Sequence, residues 1–164
     1  MSPRAAREPA VRCRAARRAD VESLADLGQR AYRVSSLERR REFYTDHPRF
    51  GLRDVRVAEL EGAIVGFGSL STFRSRPAYA TTVEDSVYLL DGHLRRGIGR
   101  ALLDELVRLA ALHGFHSVIA RITGENDASI ALHAACGFEL VGTEREVGRK
   151  FGQWLDVVEM QLML

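Results

Sequence analysis

"HLRRGIGRALLDEL", His93 to Leu106, joins two glycines, Gly97 and Gly99, to the opening turns of an amphipathic helix. Such a turn points free backbone N–H groups and the positive end of the helix dipole the same way, which makes it an anion site by construction. The residues after the glycines narrow the choice of anion. A Walker loop ends in Gly-Lys-Ser/Thr, whereas Arg100 and Ala101 come after the second glycine here. A dinucleotide fingerprint needs a third glycine three residues on, and that position is Leu102. Both nucleotide readings fail, and the flanking sequence has to decide.

Just upstream, "TTVEDSVYLL" (81–90) reads as a strand, so the glycine turn stands at a strand's C-terminal end, where open α/β sheets bind ligands. Downstream, Ile98, Leu102, Leu106, Leu109 and Ala110 fall on one helical face, and Gly114 is a natural stop. "SVIARI" (117–122) is an apolar run of the kind buried in partly parallel sheets. Asn126 to Cys136 predicts another helix ended by Gly137, and "GFELVGTE" (137–144) with "WLDVVEMQL" (154–162) predicts a final antiparallel pair. Toward the N-terminus, "VRVAEL" (55–60) and "AIVGFGSLS" (63–71) form a hairpin closed by Glu61-Gly62, followed by the loop "FRSRPAY" (73–79). "VRCRAA" (11–16) alternates like a short strand, and Asp20 is placed to cap a helix from Val21 to about Arg33. A second helix is expected from Ser35 or Ser36 to about Tyr44, before Pro48 and Gly51 break the pattern. The order is strand, two helices, three strands, helix, strand, helix, two strands. It specifies an α/β fold: a mixed sheet covered by helices, with a parallel junction around the central helix.

A chain of 164 residues suits one domain, here residues 11–164, with the basic 1–10 expected to be a disordered tail. Hydrophobic residues at 46% and charged residues at 28% are ordinary for a globular protein, and no apolar run approaches a membrane span. A formal charge of +2 gives little support to nucleic-acid binding. Cys13 and Cys136 match neither a disulfide framework nor a zinc spacing, so a cytoplasmic location and no metal are expected. Lys150 is the only lysine, which removes most lysine-nucleophile chemistry.

Element order, a strand feeding "RRGIGRALL", and a later pattern at Asn126, Ser129, His133, Gly137 and Phe138 together resemble the GNAT acetyltransferase superfamily across about residues 11–162. "RPAYATTVEDSVYL", "ASIALHAACGF" and "EVGRKFGQWLDVVEMQ" resemble its phosphinothricin and methionine-derivative N-acetyltransferase branch. The resemblance implies a mostly antiparallel central sheet flanked by helices, with its parallel junction at an acetyl-CoA site. It also answers the question of the anion: the glycine turn takes the pyrophosphate of acetyl-CoA on backbone N–H groups. By the same resemblance the cradle is Arg95, Arg96, Gly97, Ile98, Gly99 and Arg100. The pantetheine lies along Val87, Tyr88 and Leu89, with Asn126 and Ser129 nearby. Leu94 stands where the family usually has Gln or Arg, and residues 33–51 lack the branch's Thr-Phe-Glu-like stretch.

Acyl transfer to an alkyl amine requires a base, because the amine is protonated near neutral pH. Glu84 and Asp85 are adjacent in a strand, so only one faces the site: Glu84 shares its face with Thr82, Ser86 and Tyr88, and Asp85 with Val83, Val87 and Leu89. The resemblance selects Glu84 as the base. Asn126, Ser129 and His133 form a polar stripe on the later helix. Many superfamily members carry tyrosine at the position of His133, where this branch has histidine, which implies proton transfer or thiolate stabilisation. Arg76 and Tyr79 are expected beside the acceptor amine, where a guanidinium binds the adjacent carboxylate through two parallel hydrogen bonds, with Arg74 as a further cation near the polar tail of the substrate. The reading is an acetyl-CoA-dependent N-acetyltransferase for a small amino-acid-like amine, with the final strand pair a candidate homodimer contact. An aminoglycoside, polyamine or protein N-terminus as acceptor, or a CoA-binding module without turnover, are the alternatives.

Overall fold

The computed structural model describes residues 10–32 and 54–164. The expected tail, the second helix at 35–44 and the 33–51 segment fall wholly or largely outside them. Within the described residues the strands are β1 (Arg12–Ala15), β2 (Val55–Leu60), β3 (Ala63–Thr72), β4 (Thr82–Leu89), β5 (Ser117–Thr123), β6 (Glu139–Lys150) and β7 (Gln153–Met163). The helices are α1 (Val21–Tyr32), α2 (Ile98–Leu112) and α3 (Asp127–Ala135). One sheet of order β1-β2-β3-β4-β5-β7-β6 runs through the molecule. Every neighbouring pair is antiparallel except β4 with β5.

The parallel pair follows from its connection: α2 carries the chain back across the sheet, as a parallel crossover requires. Glu61 and Gly62, with φ of 52° and 82°, close the β2–β3 hairpin in the doubly left-handed turn whose twist suits two strands. Each of the five apolar positions expected on α2 is buried, and Leu106 and Leu109 pack with Leu70, Val83 and Val118 on one face of the sheet. On the other face Leu24 and Leu27 of α1 join Val55, Val57 and Phe67.

Two expectations change. Asp20 does not cap α1 directly; it ends a 3-10 turn (Arg18–Asp20), accepting the Arg17 N–H at 2.7 Å and an ion pair from Arg14, also at 2.7 Å. β6 runs on to Lys150, beyond the expected 144, and meets β7 across a turn at Phe151-Gly152, with φ of 50° and 80°. Shifts of register between Leu140 and Gly142 and between Glu144 and Gly148 break the inside-outside alternation that identifies a strand in sequence.

Candidate active site

β4 and β5 pair only from Thr82–Ser117 to Asp85–Ala120, although β4 continues to Leu89 and β5 to Thr123. On their outer sides both strands stay paired to their ends, β4 with β3 and β5 with β7. The two strands therefore part after Asp85, and the facing edges of Ser86–Leu89 and Arg121–Thr123 carry no partner strand. That fork holds Val87, Tyr88 and Leu89 on one arm. Asn126 stands just beyond the other arm as the N-cap of α3, its side chain accepting the Ser129 N–H at 3.1 Å.

The glycine turn lies beside the fork. Gly97 is the N-cap of α2 at φ 75°, a left-handed conformation that a side chain would strain, and no side chain caps the helix. The first helical bond runs from Ala101 N–H to the Gly97 carbonyl, which leaves the N–H groups of Ile98, Gly99 and Arg100 without helical partners. A Cβ on Gly99 would stand 3.1 Å from Leu132 of α3 and 3.7 Å from Leu89 of β4, so the helix start, the end of β4 and α3 meet at this point. Arg95, Arg96 and Arg100 are exposed around it. Free N–H groups, a dipole and three guanidinium groups fit a diphosphate.

Glu84 and His133 flank the fork from opposite faces of β4. Glu84 is half-buried, across from Ser71 of β3. Its pKa is raised above the ordinary carboxylate value, chiefly by burial; Arg121 opposes the shift, while Asp85, Glu159 and Glu144 add to it. Arg121 is in turn ion-paired to Glu144 and directly opposite Glu159. His133 is 3% exposed on the other face, with Nε2 3.1 Å from Asp85 Oδ2 and Nδ1 2.7 Å from the Ser129 carbonyl. Burial lowers the His133 pKa, but the hydrogen bond and charge of Asp85 and the Ser129 carbonyl outweigh it, so the net shift is upward.

In the β3–β4 loop the Arg74 guanidinium lies 4.9 Å from the Phe73 ring centroid and 5.2 Å from that of Tyr79. This stacking orders the loop entering β4. Arg76 is exposed, and its guanidinium pairs with no carboxylate among the described residues. Sequence reasoning missed Asp85 and Arg121. The signal for Asp85 was a carboxylate on the face of Val83 and Val87, since a buried charge demands a partner. Trp154 and Phe151, on the β6–β7 hairpin and its turn, are exposed and belong to no core. The described residues contain no cluster able to hold a metal and no helix long and apolar enough to cross a membrane.

The profile of the Acetyltransferase (GNAT) family matches residues 21–138, and the chain belongs to that family. It is an acetyltransferase that uses acetyl-CoA and transfers the acetyl group to an amine. It is 45% identical over 122 residues to a phosphinothricin N-acetyltransferase of Streptomyces coelicolor, covering 73% of this chain and 71% of the relative. An L-methionine sulfoximine/L-methionine sulfone acetyltransferase of Pseudomonas aeruginosa is 37% identical over 128 residues, or 78% of this chain and 74% of that one. Among solved structures, a phosphinothricin acetyltransferase of Sinorhizobium meliloti in complex with acetyl-CoA superposes with a TM-score of 0.83 at 36% identity, covering 94% of this chain and 88% of that one.

Proposed function

We propose that this chain acetylates the α-amine of a small, amino-acid-like acceptor of the phosphinothricin or methionine sulfone and sulfoximine type, with Glu84 as base. The observation that carries this reading is the placement of a half-buried carboxylate of raised pKa at a fork whose end abuts an uncapped helix N-terminus. A base poised nearer neutrality accepts the ammonium proton more readily. With the thioester in the fork, the amine is deprotonated on the Glu84 side. The thiolate departs near the ring of His133, whose two nitrogens are engaged by Asp85 and the Ser129 carbonyl, which suits it to stabilise the leaving group rather than to donate a proton freely. Val87, Tyr88 and Leu89 line the pantetheine, Asn126 and Ser129 adjoin it, and the Arg95–Arg100 cradle takes the pyrophosphate.

The names of the relatives support the acceptor class, and so does the distribution of charge. Glu84, Glu144 and Glu159 attract an ammonium group. Arg76, without a carboxylate partner among the described residues and on the same loop as Arg74 and Tyr79, offers a site for a carboxylate. Kinetics with acetyl-CoA, read as thiol release, test this. Arg76→Ala sharply lowers activity on methionine sulfone while leaving acetyl-CoA binding intact, and esterifying the acceptor costs the wild type far more than the variant. Equal losses on esterification, or better turnover of a polyamine, would replace the amino-acid acceptor with a polycation.

The same reading makes the protein a cytoplasmic homodimer. β6 is an edge strand, and Val141, Val147, Phe151 and Trp154 on the β6–β7 hairpin are exposed. Carboxylates lead on β6 (Glu139, Glu144) and cations close it (Arg149, Lys150), so two copies meeting antiparallel match charge to charge. The free thiols of Cys13 and Cys136 suit a reducing compartment.

A further inference from the structure

Asp85 sits at the last paired position before the fork opens, and its carboxylate is the link between β4 and α3. Both partners are buried: side-chain exposure is 1% for Asp85 and 4% for His133. The Ser129 carbonyl can only accept, so His133 Nδ1 carries a proton at that 2.7 Å contact. Nε2, 3.1 Å from Asp85 Oδ2, then faces a carboxylate with either its own proton or one held by Asp85. In both arrangements one further proton lies between the two groups and the pair is neutral overall. Removing that proton leaves a ring lone pair against a carboxylate in a buried site, where Asp85 Oδ1 already has no hydrogen-bond partner among the described residues. The rest of the surroundings cannot compensate. β5 presents Val118, Ala120 and Ile122 to this face, the turn before β6 presents Phe138, and β7 presents Met160. The titratable and charged groups nearby are Cys136 at the C-cap of α3, Arg100 and Asp104 of α2, and Glu84 on the far face of β4. Arg100 is itself 3.6 Å from Asp104.

We propose that Asp85 is a positioning residue: by sharing one buried proton with His133 it clamps α3, and with it Asn126 and Ser129, against β4 in the geometry that receives acetyl-CoA. The clamp closes while the proton is held and loosens when it is lost. Because the histidine pKa is raised in the folded protein, the clamp is complete below the ordinary histidine range and fails as pH rises through the elevated value. Acetyl-CoA affinity therefore declines on the alkaline side. Asp85→Asn keeps the shape and removes the shared proton: Asn donates to Nε2, and a neutral His133 still donates from Nδ1 to Ser129.

The test pairs two readouts on the whole protein. Nitrogen-15 NMR of the histidine ring reports protonation at His133, and calorimetric titration with acetyl-CoA, without acceptor, reports affinity across neutral to alkaline pH. The proposal, which rests on acetyl-CoA occupying the fork, expects the Nε2 resonance of the wild type to show the shared proton beyond the ordinary histidine range. It expects affinity to fall roughly 5-fold or more as that proton is lost, the low end of typical coupling between sites. In Asp85→Asn the ring is a neutral Nδ1–H tautomer and the pH dependence of affinity flattens. Parallel pH profiles in the two proteins, or a wild-type ring that titrates as an ordinary exposed histidine, would overturn the clamp. The wild-type ring decides this even if the variant fails to fold. Absence of acetyl-CoA binding below neutral pH, with the shared proton intact, would instead remove the fork as the cofactor site and the clamp's role with it.

Discussion

In the proposed reaction Glu84 is the base, and its neighbours set the pH at which it can act. Burial and three carboxylates raise its pKa, and Arg121 alone among the causes holds it down. The kcat/KM value therefore rises with pH through a midpoint above the ordinary carboxylate range. Arg121→Gln moves that acid limb to higher pH, a shift visible in steady-state profiles; an unmoved limb would show that Glu84 is not the titrating group. Glu84→Gln keeps the shape without the basicity and lowers kcat by about 100- to 10,000-fold, the usual weight of general-base catalysis. Alternation along β4 was enough to separate Glu84 from Asp85 in the sequence. The partners of each were not legible there, because Arg121 and His133 lie 37 and 48 positions further along the chain and only the β4–β5 junction and α3 bring them close. A strand pattern tells which face a side chain takes and nothing of what crosses to meet it.

At the scale of elements, the helix starts are where local sequence and function meet. The Gly97–Gly99 turn was readable because its glycines serve a backbone geometry. Gly99→Asp places a negative charge in the proposed pyrophosphate cradle and a Cβ 3.1 Å from Leu132. Acetyl-CoA affinity should drop by roughly 10-fold or more, at least about 1.4 kcal/mol, in a calorimetric titration. The entry to α1 makes a different prediction. Arg14 bridges Asp20 and Glu59, tying β1 to the 3-10 turn and to β2. The hydrogen bonds from Arg14 hold the Asp20 carboxyl below its usual range despite partial burial. A depressed carboxylate pKa contributes stability that is present above the unfolded value and lost as pH falls through the folded one. Asp20→Asn should therefore cost about 1.5–3 kcal/mol at neutral pH in denaturant unfolding, and progressively less in acid. The extension of β6 escaped sequence reading for a local reason as well. Glu146, at φ 51°, and the two register shifts interrupt the two-residue period just where charge already makes "TEREVGRK" look like a loop.

Across the described residues, element order was legible nearly end to end, since the apolar periods of α2, β5 and the β2–β3 hairpin each have one reading. What the order could not disclose was how the sheet is used. Its fork, its two unlike faces and its bare β6–β7 end depend on pairing between distant strands. The proposed homodimer makes a prediction at this scale, carried by the exposed Trp154 and Val147: Trp154→Glu together with Val147→Glu shifts the proposed dimer to monomer in sedimentation velocity. An unchanged mass would free this face of any role between copies. The whole molecule also has to bring acetyl-CoA, a free amino-acid amine and Glu84 together. Thiol release with methionine sulfone as acceptor, measured across pH for the wild type and Glu84→Gln, decides whether it does. Robust turnover is expected in the wild type with an acid limb above the carboxylate range, and in Glu84→Gln a loss of about 100-fold or more with that limb gone. Near-equal turnover of the two proteins at neutral pH, with the limb unmoved, would refute Glu84 as the base.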